Sequence, residues 1–212
     1  MIHFYNDFES LKDFRNSKNQ VGILERKVPQ KSDLFFKKFN QFPTSIFGHI
    51  TLSSAKRDIY KLLEKNISSD IRCDPFFKNW LDDMSRVCKI FCSFQGQDRI
   101  SFWLGSERGC KRYHVDMVPF RLLVTYAGKG TEILPNCAAD RNAFIEGKPN
   151  NKIIKDKYAL QFLNNWDVSI FRGGQKGILH RTPDSALNKK SSILMKLDDS
   201  SFLDNIIKFN SF

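Results

Sequence analysis

Two histidines and one aspartate are the residues of this sequence whose types and spacing best suit metal chemistry. His114 and Asp116 lie two positions apart in the β-like stretch "RYHVD", so on a regular strand their side chains would point from the same face. His180 lies in a later β-like stretch, "GILHRT". Together the three side chains could hold one divalent cation. An H-x-D pair is short enough to occur by chance, so a polar interruption of an ordinary strand is the alternative interpretation.

Two imidazoles and one carboxylate on one face of an octahedral metal form the ligand set of many non-haem Fe(II) centres and leave three positions for other ligands. The same donors also suit zinc. The remaining histidines, His3 and His49, are interpreted as ordinary exposed or hydrogen-bonded side chains. Cys88 and Cys92 could share a helix face, but two thiols without a second pair are a weak zinc signal.

Short stretches with β character follow one another after Gly96 and are separated by Gly-containing turns. They predict strands over residues 99–105, 112–116, 120–126, 131–134, 167–171, 177–182 and 191–198. Because a sheet that closes into a barrel or sandwich brings its first and last strands together, the sequence distance between His114 and His180 is no obstacle to a shared site.

Helical periodicity precedes these strands. Ser53 or Ser54 is a candidate N-cap for a helix over residues 54–65, and the apolar stripe after Pro75 predicts an amphipathic helix of about five turns. A later stretch, "KDKYALQFLNNW", also predicts a helix.

These elements predict a single α+β domain over residues 1–212. Its mainly helical N-terminal part, residues 1–97, packs on a β core, residues 98–200, which carries an insert at 140–165.

Composition and charge limit the class of protein. The chain of 212 residues is 41% hydrophobic with 20 Phe, which is typical of a packed globular domain. It has no apolar run of about 18 residues and no signal-like start, and its five cysteines are interpreted as reduced thiols, so we expect a cytoplasmic protein without a membrane partner. The net charge of +11 permits nucleic acid as a partner, although the basic residues are scattered and form no binding motif.

The stretches around the three candidate ligands resemble a known family. "YHVDMVPFRLLVTYAGKGTEIL" together with "ILHRTP" is similar to the HVD, RLL, TY, G-x-GTE and HR-S/T-P series of an uncharacterised bacterial family with a domain of unknown function. The order of these motifs with the final "ILMKLD" strand also resembles the iron and 2-oxoglutarate dioxygenases of the cupin-like superfamily. The resemblance covers residues 110–135 and 166–198, less than a third of the chain.

The resemblance implies a double-stranded β-helix (a cupin-like jelly roll) with His114, Asp116 and His180 as ligands of Fe(II), and 2-oxoglutarate as cosubstrate of a hydroxylase or demethylase. In that superfamily an Arg or Lys that begins about ten residues after the second histidine holds the far carboxylate of 2-oxoglutarate. Here that window indicates Lys190, with Lys196 further along.

Other residues are rival cosubstrate ligands. Arg121 and Arg181 could present a guanidinium fork to a carboxylate, and Thr125 shares the strand face of Arg121. A structural salt bridge is the alternative role for Arg121. Tyr126 lies on the opposite face of the same strand and is a weaker candidate.

Two other functions are compatible with the same residues. The first is a non-catalytic cupin-like protein that binds zinc or another divalent metal for metal handling, since no Arg occupies the usual anchor window. The second is a nucleic-acid-modifying dioxygenase, which the positive charge favours. No motif identifies the substrate.

Overall fold

The computed structural model describes residues 1–40, 43–187 and 192–209, and only the backbone of residues 206–209. The strands are β1 (Ile2–Tyr5), β2 (Val21–Leu24), β3 (Ser45–Thr51), β4 (Arg99–Gly105), β5 (Phe120–Ala127), β6 (Glu132–Leu134), β7 (Gln161–Phe162), β8 (Val168–Arg172), β9 (Leu179–Arg181) and β10 (Ile193–Asp199). The α-helices are α1 (Phe8–Leu11), α2 (Ser32–Phe39), α3 (Ala55–Glu64), α4 (Ser69–Arg72), α5 (Pro75–Gln95), α6 (Arg141–Ile145), α7 (Asn150–Ile153) and α8 (Ser200–Phe209). The fold is therefore of the α+β class.

Two sheets organise the molecule. One has seven strands in the order β1-β2-β8-β5-β10-β4-β3, and the other has three in the order β7-β6-β9. Leu123 of β5 and Leu194 of β10 share an apolar cluster with Ile133 of β6. The two sheets therefore face each other, with one face of β5 and β10 turned towards the smaller sheet.

The opposite face of the large sheet packs on helices. Side chains alternate along a strand, so Val124 of β5 and Met195 of β10 point away from the smaller sheet into the main core, where they meet α5. This helix begins where the Asp74 carboxylate accepts a hydrogen bond from the Phe76 N–H (3.0 Å), and it ends at Gly96, which has a left-handed φ of 67°. Its buried stripe, which includes Trp80, confirms the predicted packing role of the segment after Pro75.

Most of the predicted elements are confirmed. The helix predicted over 54–65 is α3, and Ser54 is its N-cap, although its hydroxyl donates to the Asp58 carboxylate (2.7 Å) and accepts no hydrogen bond from a helix N–H. Six of the seven predicted strands correspond to β4, β5, β6, β8, β9 and β10. Local β propensity and alternation were sufficient signals for these strands.

Two predicted elements are wrong. Residues 112–116 do not form a strand: only His114 makes a bridge, and the Tyr113 N–H donates to the Asn150 side chain (3.1 Å) in place of a strand neighbour. Residues 155–166 do not form an α-helix: beyond a single 3-10 turn at Lys157–Ala159, the segment pairs with β6 through β7, and its Leu163 N–H donates to the Thr131 carbonyl (3.0 Å). Sheet pairing thus overrides the local helical pattern.

The N-terminal part also contributes strands to the large sheet. β3 pairs with β4 along one side, and β2 pairs with β8 on the other side, where β1 completes the edge. Residues 1–97 therefore supply helices to one layer and three strands to another. None of the helices in the described ranges is long and apolar enough to cross a bilayer.

Candidate metal centre

His114 and His180 are partners across an isolated antiparallel bridge. The backbone N–H of each donates to the carbonyl of the other, at 3.1 Å in both directions. This pairing places the two imidazole centroids 4.4 Å apart. One ligand atom from each of His114, Asp116 and His180 can be chosen so that all three lie within 4.8 Å of one another. The structure thus brings together the three residues that the sequence singled out.

The orientation of both imidazoles leaves the same nitrogen available to a metal. Nδ1 of His114 lies 3.0 Å from the Arg112 carbonyl oxygen, and Nδ1 of His180 lies 3.1 Å from that of Ile178. Because a carbonyl only accepts, each Nδ1 carries the proton and each Nε2 presents its lone pair. Burial lowers the pKa of His180 to about 4, so this imidazole is neutral at pH 7.

The Asp116 carboxylate is buried, and only one of its oxygens is hydrogen-bonded. Asp116 is 2% exposed, and its Oδ1 accepts from Nη1 of Arg121. Its Oδ2 has no hydrogen-bond partner in the described structure and lies 3.4 Å from Nε2 of His180. An unsatisfied buried carboxylate oxygen is costly, and a cation between it and the two Nε2 atoms would remove that cost. The three side chains therefore fit a divalent metal.

Arg121 holds Asp116 in place through a buried ion-pair network. Its Nε and Nη2 donate to the two oxygens of Asp198 at 2.7 and 3.2 Å, while Nη1 reaches Asp116. The Arg121 side chain is 14% exposed, so these charges interact in a largely water-free environment. Asp198 was missed by sequence reasoning. Its position two residues after Lys196 on the last strand places it on the face of β10 that is turned inward, which is the signal that could have found it.

A cavity of about 140 Å³ adjoins the three residues. Its wall is formed by Trp103, Glu107, Arg108, Gly109, Cys110, His114, Arg121, Leu123, Thr131, His180, Arg181, Thr182, Leu194 and Lys196. Both candidate histidine ligands therefore face a space in which a small molecule could reach the metal position.

Comparison of the sequence with protein families gives one match. Residues 5–198 match the family described as protein of unknown function (DUF1826). The chain belongs to the DUF1826 family. This match confirms the prediction that the chain belongs to a family with a domain of unknown function. Among curated proteins, none matches the sequence.

Solved structures similar to the DUF1826 protein include oxygenases. A bsmA homologue from Methylobium petroleophilum is 10% identical, with 92% of each chain covered and a TM-score of 0.47. EvdO2 from Micromonospora carbonacea var. aurantiaca, solved in complex with 2-oxoglutarate, is 12% identical over 92% of this chain and 91% of that chain (TM-score 0.40). AtDAO1, the dioxygenase for auxin oxidation 1 from Arabidopsis thaliana, is 11% identical over 94% of each chain (TM-score 0.38).

The predicted cosubstrate ligands of the DUF1826 protein lie in different places. Arg121 and Arg181 line the cavity, but both are ion-paired: Arg181 contacts Glu132 (2.8 Å) and Asp184 (2.7 Å). Lys190 lies outside the described residues.

The other two predicted cosubstrate ligands, on β5, do not line the cavity. Thr125 is buried, and its hydroxyl is without a hydrogen-bond partner among the described residues. Tyr126 lies on the helix side of the sheet, where its hydroxyl donates to Asp83 (2.8 Å) and burial raises its pKa.

Gly173 and Gly174 connect the loop after β8 to the segment that carries Asp116. The Gly174 N–H donates to the Asp116 carbonyl (2.8 Å), and the Gly173 N–H donates to that of Pro119 (3.0 Å). A Cβ atom on Gly173 would lie 1.9 Å from the Val118 carbonyl oxygen and 2.5 Å from that of Asp116. Only a residue without a side chain allows this close approach.

Gly173→Ala is therefore expected to displace the Asp116 segment. We expect a loss of about 1–3 kcal/mol of unfolding free energy and about tenfold weaker binding of Mn(II), measured by urea denaturation and titration calorimetry. Gly109→Ala is the matched control, since a Cβ there would meet no atom within 4 Å. Equal Mn(II) affinity in the two variants would show that this close approach does not position Asp116.

Proposed function

We propose that this protein is a non-haem Fe(II)- and 2-oxoglutarate-dependent dioxygenase, a hydroxylase or demethylase. The observation that carries the proposal is the unsatisfied Oδ2 of buried Asp116, which faces His180 Nε2 beside a second histidine whose Nε2 is also available. Two imidazoles and one carboxylate, set at the wall of a cavity, suit an Fe(II) centre that keeps positions open for other ligands.

The arrangement of the sheets supports a double-stranded β-helix, the fold that the sequence resemblance implies. β4, β10, β5 and β8 are consecutive in the large sheet, and β6 and β9 of the small sheet lie opposite. We infer that these strands form a double-stranded β-helix, in which the N-terminal strands extend the larger sheet. In such a fold the metal ligands lie in the space between the two sheets. His180 of β9 pairs with Ile133 of β6, a member of the apolar cluster that both sheets share, and this position supports the inference.

The residues around the centre would each have a defined task. His114, Asp116 and His180 would hold the metal, and Arg121 would keep the carboxylate in position. The ring of Phe171, with its centroid 4.7 Å from that of His180, limits the movement of this imidazole. Bound Fe(II) with 2-oxoglutarate would supply dioxygen activation and an oxidant for C–H bonds. The apolar walls formed by Leu123, Leu194 and Trp103 would limit the access of water.

Incubation of the protein with Fe(II), ascorbate, 2-oxoglutarate and dioxygen is expected to release succinate, because the proposed reaction decarboxylates 2-oxoglutarate oxidatively to succinate. Succinate is measured by mass spectrometry, and His114→Ala is the matched negative control. Under anaerobic conditions, addition of Fe(II) and 2-oxoglutarate is expected to give the visible absorption band of the chelate.

A non-catalytic metal-binding protein is the alternative, because the same three donors suit zinc. Tightly held zinc, with neither 2-oxoglutarate binding nor succinate release, would contradict the dioxygenase and favour that alternative. The net charge of +11 keeps nucleic acid among the substrates to be assayed.

A further inference from the structure

Arg108 is a buried arginine in the wall of the cavity, in the loop between β4 and β5. It is 6% exposed. Its Nη1 donates to the Lys129 carbonyl (2.7 Å) and its Nη2 to the Thr131 hydroxyl oxygen (2.9 Å). Its Nε is buried and has no hydrogen-bond partner in the described structure. The guanidinium is therefore fixed by neutral groups on one side and has unused donor capacity.

Arg108 has no ion-pair partner among the described residues. None of the ion pairs in the described ranges includes Arg108, and the residues left undescribed contain no aspartate or glutamate. Burial lowers the pKa of Arg108 to about 10, and the group remains a cation at pH 7. By contrast, Arg121 and Arg181, the other two arginines of the cavity, each contact two carboxylates. A buried cation without an anion is costly, so this position is unusual unless an anion binds there.

Lys196 is the other cation of the cavity without a carboxylate in the described ion pairs, and it is less suited to hold an anion. Its Nζ lies 5.4 Å from the centroid of the Trp103 ring and 5.5 Å from that of Phe202. These two aromatic faces already stabilise the ammonium group. Lys196 also presents a point charge, whereas the guanidinium of Arg108 presents several N–H groups in one plane, a geometry that matches a carboxylate.

We propose that Arg108 is the carboxylate-binding group of this cavity, and that it acts together with the Thr131 hydroxyl. A bound carboxylate would accept from guanidinium N–H groups of Arg108 that make no hydrogen bond within the described structure, and from the hydroxyl proton of Thr131, whose oxygen already accepts from Arg108. Under the function proposed above, on which this part rests, that carboxylate is the far one of 2-oxoglutarate. The anchor then lies in the loop between β4 and β5, and not at Lys190 near the last strand.

Direct binding measurements test this assignment without relying on turnover. Calorimetric titration of Mn(II)-loaded protein compares 2-oxoglutarate with pyruvate, which has the same 2-oxo acid group but lacks the far carboxylate, and with succinate. Arg108→Met is expected to weaken 2-oxoglutarate binding about 10- to 100-fold, because one charge-assisted interaction is lost, while pyruvate binding changes little. Arg108→Lys retains the charge and is expected to show a smaller loss.

Two further variants keep the test decisive. Arg57→Met removes the same charge from an exposed helix position and is expected to bind all three ligands as the wild type does. If Arg108→Met fails to fold, as judged by circular dichroism and the melting temperature, Arg108→Lys and Thr131→Val decide the question. Thr131→Val removes only the hydroxyl and is expected to weaken 2-oxoglutarate binding several-fold.

The outcomes separate this inference from the proposed function. Unchanged 2-oxoglutarate affinity in the folded Arg108 variants would overturn the inference while leaving the dioxygenase intact. Binding of succinate but not of 2-oxoglutarate to the wild type, with loss in Arg108→Met, would support the carboxylate site and contradict the dioxygenase. Failure of the wild type to bind any of the three ligands would overturn the inference.

Discussion

Replacing His180 with alanine is expected to lower the affinity for divalent metal by at least about 100-fold, a larger effect than the loss of a group that only supports a ligand. His180 supplies one of the three donors, and its Nε2 is the imidazole nitrogen that lies beside the unsatisfied Asp116 oxygen. The backbone bridge to His114 does not depend on the side chain, so the fold is expected to persist. Calorimetric titration with Mn(II), and the iron content after anaerobic loading with Fe(II), measure the loss.

His49→Ala is the matched control for this experiment. The His49 imidazole lies 3.3 Å from the Ser200 carbonyl and 3.2 Å from the Asp204 carboxylate, away from the three candidate ligands. It is expected to leave metal binding unchanged. Wild-type metal affinity in His180→Ala would exclude the proposed centre, because the two remaining donors, His114 and Asp116, do not complete the ligand set.

Replacing Arg121 with methionine is expected to destabilise the fold by about 3–5 kcal/mol, the usual cost of removing one partner from a buried ion pair. Asp116 and Asp198 have side chains that are 1% and 2% exposed, and both would lose their cationic partner. Urea denaturation followed by circular dichroism measures the change. Saturating Mn(II) is expected to recover part of the loss, since the bound cation neutralises Asp116.

The double variant Arg121→Met with Asp198→Asn provides the control for this second prediction. It removes one of the two unpaired charges, so it is expected to be more stable than Arg121→Met alone. A loss below about 1 kcal/mol in Arg121→Met would show that the network contributes as little as an exposed ion pair does.

The sequence can indicate which face of a strand a side chain occupies, because this depends on alternation along that strand alone. Alternation along the segment 191–198 could have placed Asp198 on the same face as Lys196, which lines the cavity, and in the structure Asp198 accepts a hydrogen bond from Arg121 of that cavity wall. The partner of Asp198 could not be read in this way. Its pairing with Arg121 depends on the register in which Leu197 lies opposite Leu122, and register between distant strands is set by tertiary packing.

The structure brings the three predicted ligands together, although part of the reasoning that led to them was wrong. His114 and Asp116 were expected to share a face because they lie on one strand, whereas the structure has a single bridge at His114 and an irregular segment around it. Their convergence instead depends on hydrogen bonds from the glycines after β8, which no local pattern indicates. Arg108 was missed for a similar reason. Its neighbours Lys129 and Thr131 come from a different turn, so only the folded chain shows that it is buried without an acid.

The pairing of β2 with β8 and of β3 with β4 has a practical consequence for work on isolated fragments. A fragment that starts at residue 98 would retain all three candidate ligands. It would lose β2 and β3, so the backbone N–H and C=O groups of β8 and β4 that pair with those two strands would have no partner. Exposed edges of this kind recruit strands from other molecules and promote aggregation. We therefore expect a fragment with the candidate ligands alone to aggregate, and the N-terminal part to be needed for a monodisperse preparation.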